Sequence, residues 1–385
     1  MVARTETTNP NVELQSLGQS LWYDNIDRRL IESGELRRMI EEDGVVGLTS
    51  NPTIFDKAIS SSVSYDGALS RLVQSGKSAI DIYETLAIED IRAAADLLRP
   101  VYERTGRVDG LVSLEVSPHL AFHTEETLTE VRRLWTAVDR PNLMVKVPAT
   151  PQGIPAVKDL IAEGININIT LIFSLGAYRL VVEAYLAGLE RRVEANLPID
   201  HISSVASFFV SRVDTKVDGQ LAAALDRSDG HGPNAGLESL LGKAAIANCK
   251  LAYEIFQNTF GGHRFKGLSE SGARVQRLLW GSTSTKNPNY PDTYYVDSLI
   301  GPDTVNTVPT ETLHAFKDHG TVARTIDAGL DEARRVAEEL ARAGIDIDNV
   351  TAQLLQEGVD QFVNSFDKLI DGIEARAGMI KAVSG

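Results

Sequence analysis

Short apolar runs rich in β-branched residues recur along the chain, and each is followed by a stretch whose apolar residues fall at three- and four-residue spacing. The first kind of segment predicts buried strands and the second predicts amphipathic helices. Strand-like runs cover 21–26 (LWYDNI), 44–51, 110–117, 143–150, 166–173, 204–213, 277–284 and 303–309. Helical periodicity is clearest over 26–42, 88–106, 124–138 and 174–195. Eight strands alternating with helices predict an α/β chain with a parallel sheet, and the length suits closure into a (β/α)₈ TIM barrel. The competing open, doubly wound sheet loses its main signal, because no G-x-G-x-x-G follows an early strand. Two further helical segments, 331–345 and 350–378, follow the last strand and are expected to pack across an end or side of the barrel. The reading is therefore one barrel domain over 1–385 with additional C-terminal helices and a loosely attached N-terminal segment, 1–18.

Composition narrows the function. A hydrophobic content of 43% with 24% charged residues is that of a soluble globular protein. No apolar stretch approaches the roughly 18–20 residues that span a bilayer, and the N-terminus lacks the basic start and apolar core of a signal peptide. A single cysteine, Cys249, leaves no intrachain disulfide to form, so a cytoplasmic setting is expected. The thiol itself is expected to be inert, on a helix. The formal charge of −15 argues against nucleic acid as a partner, since phosphate backbones are held by clustered Lys and Arg. A small phosphorylated substrate in a local basic pocket stays compatible with that charge. A monomer or homodimer is expected.

Strands of a closed barrel are covered on both faces, so a polar side chain on one belongs to the catalytic mouth or needs a partner. Asp24 lies in strand 1, Asn51 ends strand 2, Glu115 is in strand 3, Lys146 in strand 4, Asn168 and Thr170 in strand 5. Ser207 and Arg212 are read on strand 6, and strand 7 ends in Ser282, Ser284 and Lys286. Simpler uses exist for several of these. Asp24 alone could pair with an arginine, Thr170 is β-branched and at home in a strand, and Asn51 before Pro52 could simply cap the next helix. Lys146 differs. Met144, Val145, Val147 and Pro148 surround it, and a central barrel strand gives an ammonium little route to water. Desolvation disfavours an ammonium and frees an amine that can attack a carbonyl and form a Schiff base. A carbon–carbon bond beyond the protonated imine can then break, if one carboxylate takes a proton and another group manages water. Asp24 and Glu115 supply the carboxylates, and Thr170 a hydroxyl to hold the water.

Other chemistries have weaker support. Of the seven histidines, only His119 and His123 stand at metal-ligand spacing, with no third ligand near in sequence, so no metal site is expected. Neither a G-x-x-x-x-G-K-[ST] loop nor a G-x-S-x-G elbow is present. Three alternatives stay open: a different lysine-dependent lyase on the same barrel, a glycoside hydrolase using Asp24 and Glu115 with Lys146 as an ion-pair partner, and a non-catalytic sugar-phosphate binder.

Five segments in order, GLTSNPTIFDKAI, SLEVSP, LMVKVPAT, NINITLIFS and STSTKNPNYPDTYYVDSLIGPDTVNTVP, together resemble transaldolases, in particular the longer bacterial branch. The resemblance implies a class I aldolase barrel that works without metal or organic cofactor in the non-oxidative pentose phosphate pathway. It also implies transfer of a dihydroxyacetone unit from sedoheptulose 7-phosphate to glyceraldehyde 3-phosphate, giving erythrose 4-phosphate and fructose 6-phosphate. By motif, Lys146 would be the Schiff-base nucleophile, Asp24 the acid/base at the cleaved hydroxyl, and Glu115 with Thr170 the pair handling water. Asn51 and Asn168 would hold hydroxyls of the three-carbon fragment, Ser207 and Phe209 would line its pocket, and Arg212 would meet phosphate. The chain departs from shorter transaldolases in two places. Phe208 stands where they place proline, and STSTK replaces their Ser-Phe-Arg on strand 7, so Lys286 with Ser284 would take over part of the phosphate contact.

Overall fold

The computed structural model describes residues 9–226 and 236–384. Eight parallel strands close into a barrel in chain order, β1 pairing with both β2 and β8. They are β1 (Gln19–Asp24), β2 (Val45–Thr49), β3 (Leu111–Glu115), β4 (Leu143–Pro148), β5 (Ile167–Ile172), β6 (Ser204–Phe209), β7 (Arg277–Gly281) and β8 (Thr304–Val308). All eight predicted runs become strands. Val, Ile and Leu on both faces explain why nearly every strand residue is buried, as a sheet with helices outside and packed side chains inside requires.

The departures from expectation lie at element ends. The run read as strand 6 through 213 stops at Phe209, and Arg212 sits in the first turn of the helix Ser211–Asp226. Phe208, Phe209 and Val210 are apolar through the reversal, so periodicity carries no mark of the turn. Ser282, Ser284 and Lys286 likewise lie beyond β7, on the loop after Gly281. The predicted helix over 26–42 is two helices, Arg28–Glu32 and Glu35–Glu42, broken at Gly34, whose φ of 80° is the left-handed conformation that glycine adopts without steric cost. The predicted 88–106 helix begins earlier, as Ala79–Arg104, where the Ser78 hydroxyl accepts from the Asp81 N–H.

The lower end of the barrel is closed by a buried polar knot. Arg277 of β7 pairs with Asp109 at 2.9 Å, and the Trp22 indole N–H donates to the same carboxylate. Gly47 of β2 lies against that indole so closely that a Cβ would come within 2.5 Å of it, which is why no side chain fits there. Of segment 1–18, residues 1–8 lie outside the described residues, whereas Pro10–Glu13 and Leu14–Leu17 are helical turns and Leu14 is fully buried. Leu14 packs in a cluster with Leu21, Val45, Leu313 and Phe316 outside β1, β2 and β8.

Of the C-terminal helices, Leu330–Arg342 packs on the helix Ala244–Phe260. The last, Ile347–Ser384, crosses the upper, C-terminal side of the barrel against the helices Pro52–Ser61 and Ala79–Arg104 and reaches β5. Polar ties run along it: Glu357 with Lys216, Ser365 with Thr53 at 2.8 Å, Asp367 with His119 at 2.7 Å, Lys368 with Asp56 at 2.8 Å, and Arg376 with Asp66. No helix among the described residues is long and apolar enough to cross a membrane.

Candidate active site

The register of the central strands places the key polar residues side by side. Glu115 on β3 pairs with Lys146 on β4, Lys146 with Asn168 on β5, and Asp24 on β1 with Thr49 on β2. Because side chains alternate along a strand, these partners share the inner face near the C-terminal ends. The Lys146 side chain is buried, with the residue 5% exposed. Its Nζ donates to the Ser50 carbonyl at 2.9 Å and lies 3.0 Å from Glu115 Oε2. The expensive position anticipated from sequence is therefore offset by one carboxylate and one carbonyl.

Asp24 accepts a 2.6 Å hydrogen bond from Thr49 Oγ1, which is itself 2.6 Å from Thr307 Oγ1. Burial pushes the Asp24 carboxyl above its ordinary range, against the opposing pull of Lys146, the Thr49 hydroxyl and Lys286. Burial likewise raises Glu115, opposed by the nearby Lys146 ammonium and reinforced by Asp24. Two carboxyls that hold protons more readily than free ones, close to an amine, suit proton transfer.

A cavity of about 200 Å³ opens above these groups, lined by Asp24, Asn51, Lys146, Thr170, Ser207, Phe209, Arg212, Ser284 and Lys286, with Thr49, Thr307 and Phe362. Nine of the eleven residues expected from sequence thus meet in one place. The other two, Glu115 and Asn168, do not line it. Asn168 is fully buried below, its amide donating to Ser113 Oγ at 3.0 Å and its carbonyl accepting from Ser207 Oγ at 2.6 Å. It orients Ser207, which does face the cavity. Both readings of Asn51 hold together: its Oδ1 caps the helix Pro52–Ser61 by accepting from the Ile54 N–H at 3.0 Å, and the residue also lines the cavity.

The rim carries positive charge. The Arg212 guanidinium sits over the Phe209 ring, 5.5 Å from its centroid, and neither Arg212 nor Lys286 forms a salt bridge among the described residues. Burial lowers the Lys286 ammonium, and the Arg212 charge beside it lowers it further. Glu311 and Asp24 act on Lys286 and Glu357 on Arg212 through space, but neither cation is taken up in an ion pair among the described residues, an arrangement that suits an anion. Lys286 also donates to Ser284 Oγ.

Sequence reading passed over Thr49, Thr307, the Ser50 carbonyl and Phe362. The two threonines are polar positions on barrel strands and could have been found by the rule that found Thr170. Phe362 comes from the last helix, where an apolar stripe gives no sign of reaching a distant mouth. Of the paired histidines, His119 bonds Asp367 and His123 precedes the helix Thr124–Val138. Among the described residues no group of three or more His, Cys, Asp or Glu gathers to hold a metal ion. His231 lies outside the described residues.

A family model described as transaldolase/fructose-6-phosphate aldolase matches residues 21–373. The chain belongs to this family. Curated relatives agree over almost their whole length. A transaldolase of Trichodesmium erythraeum is 46% identical over 378 residues, covering 98% of this chain and 100% of that one. A transaldolase of Thiobacillus denitrificans is 47% identical over 362 residues, 94% and 99% of the two chains. One of Saccharopolyspora erythraea is 47% identical over 377 residues, 97% and 100%. The cavity described above lies at the C-terminal ends of the strands, the end of a (β/α)₈ barrel at which active sites are built.

Proposed function

We propose that this transaldolase-family enzyme moves a dihydroxyacetone unit between sugar phosphates through a Schiff base on Lys146. Sedoheptulose 7-phosphate would be the donor and glyceraldehyde 3-phosphate the acceptor. The observation that carries the reading is the buried Lys146 amine, 3.0 Å from Glu115 and opening into a cavity that also holds Asp24 and two cations without salt-bridge partners among the described residues. Lys146 Nζ adds to the ketose carbonyl. The carbinolamine hydroxyl then leaves as water with a proton from Glu115, and Thr170 holds that water. Asp24 takes the proton of the hydroxyl on the next carbon but one from the imine as the carbon–carbon bond breaks, and the bonding electrons pass into the imine. The first aldehyde departs. The acceptor aldehyde then takes the enamine carbon, Asp24 returns the proton to the new hydroxyl, and hydrolysis frees Lys146.

The amide hydrogens that Asn51 does not need for capping, together with the Ser207 hydroxyl set by Asn168, suit retention of the three-carbon fragment between donor and acceptor. Arg212 and Lys286, with Ser284, suit the phosphate at the far end. A hydrolase using Asp24 and Glu115 fits less well, because the Glu115 carboxylate is taken up by Lys146 at 3.0 Å and is not free to flank a glycosidic bond opposite Asp24. Product analysis tests transfer against cleavage. With fructose 6-phosphate alone, dihydroxyacetone release should be slow, and an added aldehyde phosphate should speed ketose turnover. Fast steady release without acceptor would refute the retention argument.

A further inference from the structure

Glu115 forms part of the wall of a second cavity. This one, about 50 Å³, lies outside β3 between the helices Ala79–Arg104 and Thr124–Val138 and under Phe366 of the last helix. A cavity needs roughly 10–15 Å³ to hold one water, along with polar partners, so this space is large enough for several. Its polar lining is Glu115, Ser117, Tyr83, Glu84 and Glu130. The outer pair, Glu84 and Glu130, is tied to Arg133, and Ile80 at the lip is 51% exposed, so the cavity leads to bulk solvent. Tyr83 is fixed in the wall by edge-on contacts with Phe55 at 5.8 Å and Phe366 at 5.4 Å. Burial and the carboxylate of Glu115 hold its phenol protonated, a donor to water at any physiological pH.

On the active-site side, two buried oxygens lack a hydrogen bond within the protein. Thr170 Oγ1 has none, and Glu115 Oε2 faces Lys146 as an ion pair without hydrogen-bond alignment. Imine formation releases one water at this point and hydrolysis takes one up, while a bound sugar phosphate fills the mouth. We propose that the side cavity is the reaction's water port, carrying water between Glu115 and solvent through the gap between the 79–104 and 124–138 helices. The inference rests on the Schiff-base reading. In each cycle the carbinolamine C–O bond breaks, its hydroxyl leaves with the Glu115 proton as water, and the water goes out past Tyr83. Hydrolysis reverses the route, adding one water to the C=N carbon and returning the proton to Glu115.

Two variants close the port away from the mouth: Ile80→Trp at the exposed lip and Ala87→Leu in the wall. Each is incubated with fructose 6-phosphate in H₂¹⁸O. The enzyme-dependent entry of ¹⁸O at the ketose carbonyl is followed by mass spectrometry, and the Lys146 adduct is trapped separately by borohydride at equilibrium. A closed port should slow isotope entry by about tenfold or more while leaving the equilibrium amount of adduct at the wild-type level. Ile80→Trp carries the test alone if Ala87→Leu does not fold, since an exposed residue tolerates replacement. Isotope entry within about twofold of wild type in the folded variants would overturn the port. A wild-type protein that forms no adduct at all would instead remove the Schiff-base reading, and the port with it.

Discussion

Removing both partners of the Lys146–Glu115 pair should cost clearly less than the sum of removing each alone. Opposite unit charges 3.0 Å apart attract by about 5–6 kcal/mol at an effective dielectric of about 20. Both groups are almost fully buried, so most of that attraction offsets desolvation and little is left as net stability. Glu115→Gln leaves an ammonium whose close contact is the Ser50 carbonyl, with the Asp24 carboxyl acting from farther off, and should cost about 3–5 kcal/mol. Lys146→Met leaves a carboxyl that burial already pushes above its ordinary value, now without the lysine field that opposed the rise. A carboxyl raised in the fold favours the folded state while protonated. That contribution is complete below the unfolded value of about 4.3 and is lost as pH rises through the folded value. Lys146→Met should therefore lose stability between pH 5 and 8 relative to the double variant Lys146→Met/Glu115→Gln, which carries no charge at either position. The double variant should be more stable than the sum of the single losses implies, by about 2–3 kcal/mol. Urea denaturation of the four proteins at both pH values, followed by tryptophan fluorescence and circular dichroism, measures this directly. Additivity within about 0.5 kcal/mol, or a Lys146→Met variant indifferent to pH, would refute the reasoning.

Three further outcomes follow from the same geometry. Burial raises the Asp214 carboxyl to about 7, while the Ala245 N–H and the Tyr295 hydroxyl donate to it. Its contribution is present below about pH 4 and is lost as pH rises to about 7, worth on the order of 4 kcal/mol. Asp214→Asn should flatten that part of the pH dependence in urea midpoints, and an unchanged slope would contradict it. Arg212→Ala and Lys286→Ala should each raise KM for a phosphorylated ketose by about 10- to 100-fold, the worth of one charge-assisted hydrogen bond, and leave kinetics with an unphosphorylated ketose much less affected. Equal effects on both substrates would show that these side chains do not bind phosphate. Gly47→Ala drives a methyl to 2.5 Å from the Trp22 indole and should cost about 1–3 kcal/mol, read as a lowered melting temperature.

The barrel was legible because each strand is a short β-branched run between turn residues, and eight such runs alternating with helices leave few other architectures. The ends were less legible. Phe208, Phe209 and Val210 stay apolar as the chain turns from β6 into the helix carrying Arg212, so hydrophobicity alone extends the strand. Lys146, Asp24 and Glu115 stood out for a physical reason: a charged side chain on a strand covered on both faces needs a purpose. Which cavity each one faces was not legible. Glu115 and Asn168 read as equivalents of Thr170 and Ser207 in the strand pattern, and only the packing of the outer helices shows that they line a different space or lie below the floor. Phe362 enters the mouth through the path of the last helix, which is fixed by pairs such as Lys368–Asp56 and Thr53–Ser365 between residues far apart in sequence.

Borohydride reduction with fructose 6-phosphate, followed by peptide mapping, addresses the central claim most directly. One stable adduct on Lys146 is expected, absent from both Lys146→Ala and Lys146→Arg, because the first removes the amine and the second installs a guanidinium that stays protonated. An adduct on any other lysine, or none on the wild-type protein, would contradict the account.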